Sequence, residues 1–294
     1  MWIAVTTRFS RFFGALQPTD AEIEDAAAKQ TGVRKSLHRE YFNETTENPL
    51  GFVVGSWGKR TAIRPPADID VFMQLPLEDY HRFNGYAGNG QSALLQEVKS
   101  VLEATYPQTN MRGDGQVCVV AFNSITVEVV PVFKYDDDRW LMPDTHDGGS
   151  WKTVNPAAEV ASLDYTDLVA SSNGRKLIQM MKAWKYHCNV PLKSFILELI
   201  VSEFLQGYEY RHRDFFYYDW FVRDFFRHLL SRKNGLIWAP NSETYVSLGD
   251  EWESRAISAR DRALSACEYE YKDMVVHAGE EWQKVFGDRI QVVV

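Results

Sequence analysis

Asp68 and Asp70 stand on alternate positions of an otherwise apolar run, 67-ADIDVFMQL-75. No other feature constrains the fold of this chain as tightly. Alternate side chains of a strand share a face, so Ile69 and Val71 turn toward a core while both carboxylates turn away from it. Pro65-Pro66 before the run and Pro76 after it bound a strand at residues 67–75. A second run, 125-ITVEVVPVF-133, repeats the device. Ile125, Val127 and Val129 share one face, and Glu128 lies on the other with Thr126 and Val130. If the two strands are neighbours, Asp68, Asp70 and Glu128 converge on one surface of a sheet. Three carboxylates so placed repel one another unless a cation lies between them. An all-oxygen set suits Mg²⁺ or Mn²⁺, and a pair of such ions stabilises both oxygens of an in-line phosphoryl displacement. A lone D-x-D is more often a solvated strand face; the acid isolated in so apolar a strand as 125–133 argues for a use.

Gly55-Ser56 precedes the acids, with eleven residues between Ser56 and Asp68. Glycine lets backbone approach a phosphate closely, and its N–H groups and the Ser56 hydroxyl can bind phosphate oxygens. Lys59, Arg60 and Arg64 lie between the turn and the acids. They can steer phosphates or simply solvate a loop, and Trp57 is equally open to either use.

Thr19-Asp20-Ala21-Glu22 matches a capping box, and a helical pattern follows to about residue 41. Residues 51–55 read as a short strand, 92–105 as a helix, and 117–122 with 125–133 as a hairpin turning at Asn123-Ser124. After about residue 150 the pattern turns helical. Leu177, Met180, Met181 and Trp184 form an amphipathic stripe, and residues 195–205 are apolar nearly all round. The aromatics at 215–226 suit a packed helix, Asn173-Gly174 is a candidate hinge, and 288–294 is expected to form a last strand or dock into a regulator. The expected class is therefore α+β. A mixed-sheet lobe (1–170, its first helix bridging both lobes) is followed by a helical lobe (171–294), with the active site in a cleft between them.

The 294 residues carry a net charge of −8, which argues against a protein devoted to long nucleic acid. No run of 18 apolar residues suggests a membrane span, and the N-terminal stretch lacks the pattern of a signal peptide. Three scattered cysteines fit a reducing cytoplasm, and none of the seven histidines sits at zinc-binding spacing.

The combination resembles a known family. Gly-Ser, D-x-D and a later acidic strand are similar to the DNA polymerase β-type nucleotidyltransferases. Within them, 55-GSWGKRTAIRPPADIDVF-72, 125-ITVEVVPVF-133 and 174-GRKLIQMMKAWKYHCNVPLKSFILELI-200 resemble the bacterial cGAS/DncV-like nucleotidyltransferases (CD-NTases) of CBASS antiphage signalling. The resemblance implies that Gly55 and Ser56 hold the donor triphosphate. It implies that Asp68, Asp70 and Glu128 are catalytic and bind two Mg²⁺ ions, Mn²⁺ substituting, although the family usually has aspartate where Glu128 stands. It adds Lys182 and Ser194 as triphosphate contacts and Phe195 as a ring that can stack on a base. Ser194 opens the apolar helix, where free N–H groups favour an anion.

The implied activity is synthesis of a cyclic oligonucleotide from ATP and GTP or other NTPs, with a purine cyclic dinucleotide such as a cyclic GMP-AMP as the first expectation. A separate effector would read the product, and a regulatory partner would control the enzyme. Two other readings compete: a related transferase with a different acceptor (linear oligonucleotide, antibiotic or tRNA), and an inactive nucleotide-binding module.

Overall fold

The computed structural model describes residues 2–66 and 68–294. Ala67, the expected first residue of the acidic strand, lies outside the described residues. From the N-terminus the chain forms α1 (Val5–Leu16), α2 (Asp20–Phe42), β1 (Phe52–Val53), a single turn α3 (Gly55–Gly58), β2 (Asp68–Gln74), α4 (Leu77–Asn84) and α5 (Gly90–Thr105). Five strands follow: β3 (Asn110–Asp114), β4 (Val117–Ala121), β5 (Thr126–Lys134), β6 (Trp140–Asp144) and β7 (Ser150–Val154). The rest is α6 (Pro156–Val169), α7 (Asn173–His187), α8 (Ser194–Gly207), α9 (Tyr218–Ser231), a hairpin of β8 (Leu236–Ala239) and β9 (Thr244–Ser247), α10 (Glu253–Tyr271) and α11 (Val275–Phe286).

Two compact units result, one of residues 18–159 and one of 1–17 with 160–294. The sheet unit ends at 159 where 170 was expected, and α1, expected with the sheet lobe, packs with the C-terminal helices. Its Arg8 is fully buried and donates Nε to Glu270 at 2.9 Å. The same guanidinium donates to the backbone carbonyls of Val275, Gln291 and Val292. Those bonds also hold the chain end, which forms no strand.

The sheet unit is mixed, in the order β1-β2-β5-β4-β3, with β6 paired to β5 and β7 to β6. Thr19 and Glu22 form the expected capping box, which starts α2. One sheet face packs Ile69, Val71, Met73, Val127 and Val129 against Val33 and Leu37 of α2 and Leu94, Val98 and Leu102 of α5. Each such side chain contributes about 1.5–3 kcal/mol on burial. A one-residue slip of β2 would bury both aspartates and expose that set, so the register of the acids is fixed by the core. On the other face Phe72, Val130, Val132 and Met142 make a smaller cluster beyond the acids.

In the helical unit the stripe Leu177, Met180, Met181 and Trp184 is fully buried, as is most of α8. The aromatic run is core through Tyr218, Phe221, Phe225 and Phe226. Asn173 is pinned, not a free hinge. It donates to the carbonyls of Arg211 and Arg213 and accepts from the Tyr218 hydroxyl at 2.6 Å. No helix among the described residues is long and apolar enough to cross a membrane.

Candidate active site

β2 and β5 run parallel, with Asp70 opposite Glu128 and Asp68 opposite Thr126. Residues in register on neighbouring strands share a face, so the three acids lie on one surface, as the alternation predicts. Asp68 is exposed; Asp70 and Glu128 are half-buried. Burial pushes the Glu128 carboxyl up to about 7, helped by the charges of Asp70, Asp68 and Asp114 and opposed by Arg112.

The Gly-Ser turn folds onto these acids. Gly55 adopts φ +58, and a Cβ there would fall inside the Asp70 carboxylate. Only glycine satisfies both demands. Ser56 lies in the first turn of α3, and its carbonyl accepts from Thr61 N–H at 2.8 Å and Ala62 N–H at 3.1 Å, closing the loop that follows. Trp57 packs on the sheet core and donates its indole N–H to the Asp68 carbonyl at 2.8 Å. The three cations diverge in role. Lys59 is buried, its ammonium 2.6 Å from Glu159; Arg64 pairs with Glu22 at 3.0 Å; Arg60 is exposed.

Sequence reading missed two charges on the acid face. Glu128 stands opposite Val119 on β4, and Val119 opposite Arg112 on β3. Arg112 and Asp114 therefore extend the row of the acids to the sheet edge, where they pair loosely at 3.5 Å. The alternation of Asn110, Arg112 and Asp114 around the buried Met111 is the signal that could have found them.

The remaining predicted residues belong to the helical unit. Ser194 and Phe195 open α8, both half-buried. Lys182 of α7 is buried, and its ammonium lies 2.6 Å from the equally buried Glu198 of α8.

Among the described residues, no three His, Cys, Asp or Glu side chains are drawn close enough to ligate one ion as they stand. The fit to a metal rests instead on the donor chemistry. Asp68, Asp70 and Glu128 offer oxygen only, in register on one face, and burial, with the added charges of Asp70 and Asp68, raises the Glu128 carboxyl. A hard divalent cation is the group such a set suits.

A mixed sheet carrying a Gly-Ser turn against strand-borne acids, followed by a helical unit, defines a nucleotidyltransferase fold of the polymerase β type. The sequence profile of the Second Messenger Oligonucleotide or Dinucleotide Synthetase domain (SMODS) matches residues 3–166, and the chain belongs to that family. It is 22% identical over 216 residues to the cyclic AMP-AMP-AMP synthase of an Acinetobacter species, 72% of this chain and 62% of that one. It is 26% identical over 178 residues to the Escherichia coli CBASS oligonucleotide cyclase CdnC, covering 56% and 55%. The matches thus span less than two thirds of these curated relatives. Among solved structures, an Escherichia coli CdnC in complex with HORMA-deltaN aligns over 97% of this chain and 98% of its own, with TM-score 0.68 and 18% identity. The Vibrio cholerae cyclic AMP-GMP synthase DncV, with a linear intermediate, aligns over 99% and 88%, with TM-score 0.67 and 15% identity.

Proposed function

We propose that this protein joins NTPs into a cyclic oligonucleotide, releasing pyrophosphate at each transfer. The observation that carries the reading is the register of Asp70 with Glu128 beneath a Gly-Ser turn folded onto Asp70. Asp68, Asp70 and Glu128 would hold two Mg²⁺ ions, with Mn²⁺ as a substitute. When bound, such ions supply charge neutralisation for the reacting phosphate oxygens.

The chain's own residues do the rest. Gly55 and Ser56 cradle the donor triphosphate, because glycine backbone and a serine hydroxyl can approach phosphate oxygens closely. Glu128, in register with Asp70 on the acid face, takes the proton from the acceptor ribose hydroxyl. The hydroxyl oxygen bonds to the α-phosphorus, the bond to the bridging oxygen breaks, and pyrophosphate leaves. A second transfer closes the ring. Lys182 and Ser194 are the proposed triphosphate contacts of the helical unit, with Phe195 as a surface for a base.

The product is proposed to be a purine cyclic di- or trinucleotide made from ATP, with or without GTP. Support comes from relatives named for cyclic AMP-AMP-AMP and cyclic AMP-GMP synthesis. A role in CBASS signalling, a separate effector that reads the product and a regulatory partner rest on the likeness to CdnC, solved with a HORMA protein.

Mass spectrometry of products from the four NTPs with Mg²⁺ or Mn²⁺ tests the reading. A cyclic product is expected, and none from Asp68→Asn with Asp70→Asn. Transfer only to an added acceptor would move the assignment to another nucleotidyltransferase. Product retained in the double variant would overturn the site.

A further inference from the structure

The ladder between β1 and β2 reaches Asp70 and stops short of Asp68. Phe52 pairs with Phe72 and Val53 with Val71, and the last backbone bond runs from Val54 N–H to the Asp70 carbonyl at 2.9 Å. In a strand, every second residue points its N–H and C=O to the same side. Phe72, Asp70 and Asp68 therefore direct theirs toward β1. The next donor should come from residue 56, but the chain has already turned into α3 at Gly55. Trp57 supplies what is missing: its indole N–H reaches the Asp68 carbonyl at 2.8 Å.

Pro65 and Pro66 precede the strand end and carry no N–H to donate. The indole is itself anchored, because its ring packs against the sheet core. A donor on a fixed ring holds one backbone geometry at Asp68, where solvent would accept many. Backbone geometry in turn sets the direction of the side chain, and Asp68 is the most exposed of the three acids.

We propose that Trp57 is a positioning residue for the carboxylates: its indole N–H stands in for a rung of β1 and fixes the aim of Asp68. This rests on the proposed role of Asp68 as a metal ligand. It goes beyond that role by assigning a use to the residue after the Gly-Ser pair. Outer groups that orient ligands typically carry 10–100-fold of metal affinity.

The test is Mn²⁺ binding to the full-length, nucleotide-free protein, read by electron paramagnetic resonance. Trp57→Phe keeps a packed ring and removes the donor. It is expected to weaken Mn²⁺ binding on the order of tenfold. The metal concentration for half-maximal pyrophosphate release should rise by a similar factor, with KM for NTP at saturating metal unchanged. Benzothienylalanine placed at position 57 replaces only the N–H by sulfur; it decides the matter if Trp57→Phe proves unstable. Affinity within twofold of the unmodified protein in a folded variant overturns the proposal. The control separates the two readings. If Asp68→Asn with Asp70→Asn also binds Mn²⁺ undiminished, the metal assignment itself has failed; if that variant loses Mn²⁺ and the position-57 variants do not, only the role of Trp57 has.

Discussion

Asp70 and Glu128 face each other across adjacent parallel strands, and the Asp70 carboxylate is also the group that excludes any side chain at Gly55. Burial and the nearby aspartates raise Glu128 to about 7, so a proton and a cation compete for it. Activity should rise with pH through about 7 at low metal, as Glu128 becomes free to ligate and to accept a proton. More Mg²⁺ should move that midpoint to lower pH. Initial rates of pyrophosphate release between about pH 5.5 and 9, at two metal concentrations, check this; a midpoint indifferent to metal contradicts it.

The same residue should cost the metal-free protein stability. The folded-state pKa of Glu128 lies above the ordinary value of 4.5, so between 4.5 and about 7 the folded chain holds a proton that the unfolded chain releases. Stability then falls as pH rises through that window, and the penalty is fully present above it. Glu128 is only half-buried, so after screening by solvent roughly 1 kcal/mol survives. Glu128→Gln should therefore melt about 2–4 °C higher than the unmodified protein at alkaline pH without metal. The gain should vanish below the ordinary carboxylate range. Paired thermal melts in a chelator measure both limbs.

Arg112 lies two strands from Glu128 in the same row, and its charge opposes the raised pKa. Arg112→Gln removes that opposition. The pH midpoint of activity should shift upward, and the difference from the unmodified protein should shrink in high salt, since both groups are partly solvated. An unchanged midpoint at low ionic strength would show that the charge of Arg112 does not reach the acids.

The acids and their strands were legible because period-two alternation is written locally: Ile69 and Val71 turn to the core, so Asp68 and Asp70 turn to the opposite face. The capping box of α2 and the stripe of α7 are likewise local patterns. The pairing of β2 with β5 is not, because nothing in either strand says which neighbour it takes or in which direction. The short strands β6 and β7 escaped notice since 140-WLMPD-144 and 150-SWKTV-154 lack clean alternation. Arg8 reads as an ordinary surface cation on a short helix; its partner Glu270 is 262 residues away. The place of α1 among the C-terminal helices was illegible for that reason. Trp57 was ambiguous because its ring belongs to the core and its N–H to the strand end, and sequence shows neither partner.

Lys182 offers the sharpest separation of structural from catalytic need. Lys182 and Glu198 are both almost wholly buried, and their charged atoms lie 2.6 Å apart. Removing one partner of a buried pair typically costs about 3–5 kcal/mol, whereas replacing both with apolar groups is often neutral. Lys182→Met alone should therefore unfold at markedly lower urea concentration, and its loss of activity would say nothing about nucleotides. Lys182→Met with Glu198→Met should recover most of that stability. If Lys182 also meets the triphosphate, the folded double variant will still show a raised KM for NTP. Equilibrium urea melts followed by kinetics on the double variant distinguish the cases. A stability loss under about 1 kcal/mol in the single variant would contradict the buried pair. An unchanged KM in the folded double variant would remove Lys182 from the nucleotide contacts and leave it as an internal tie between α7 and α8.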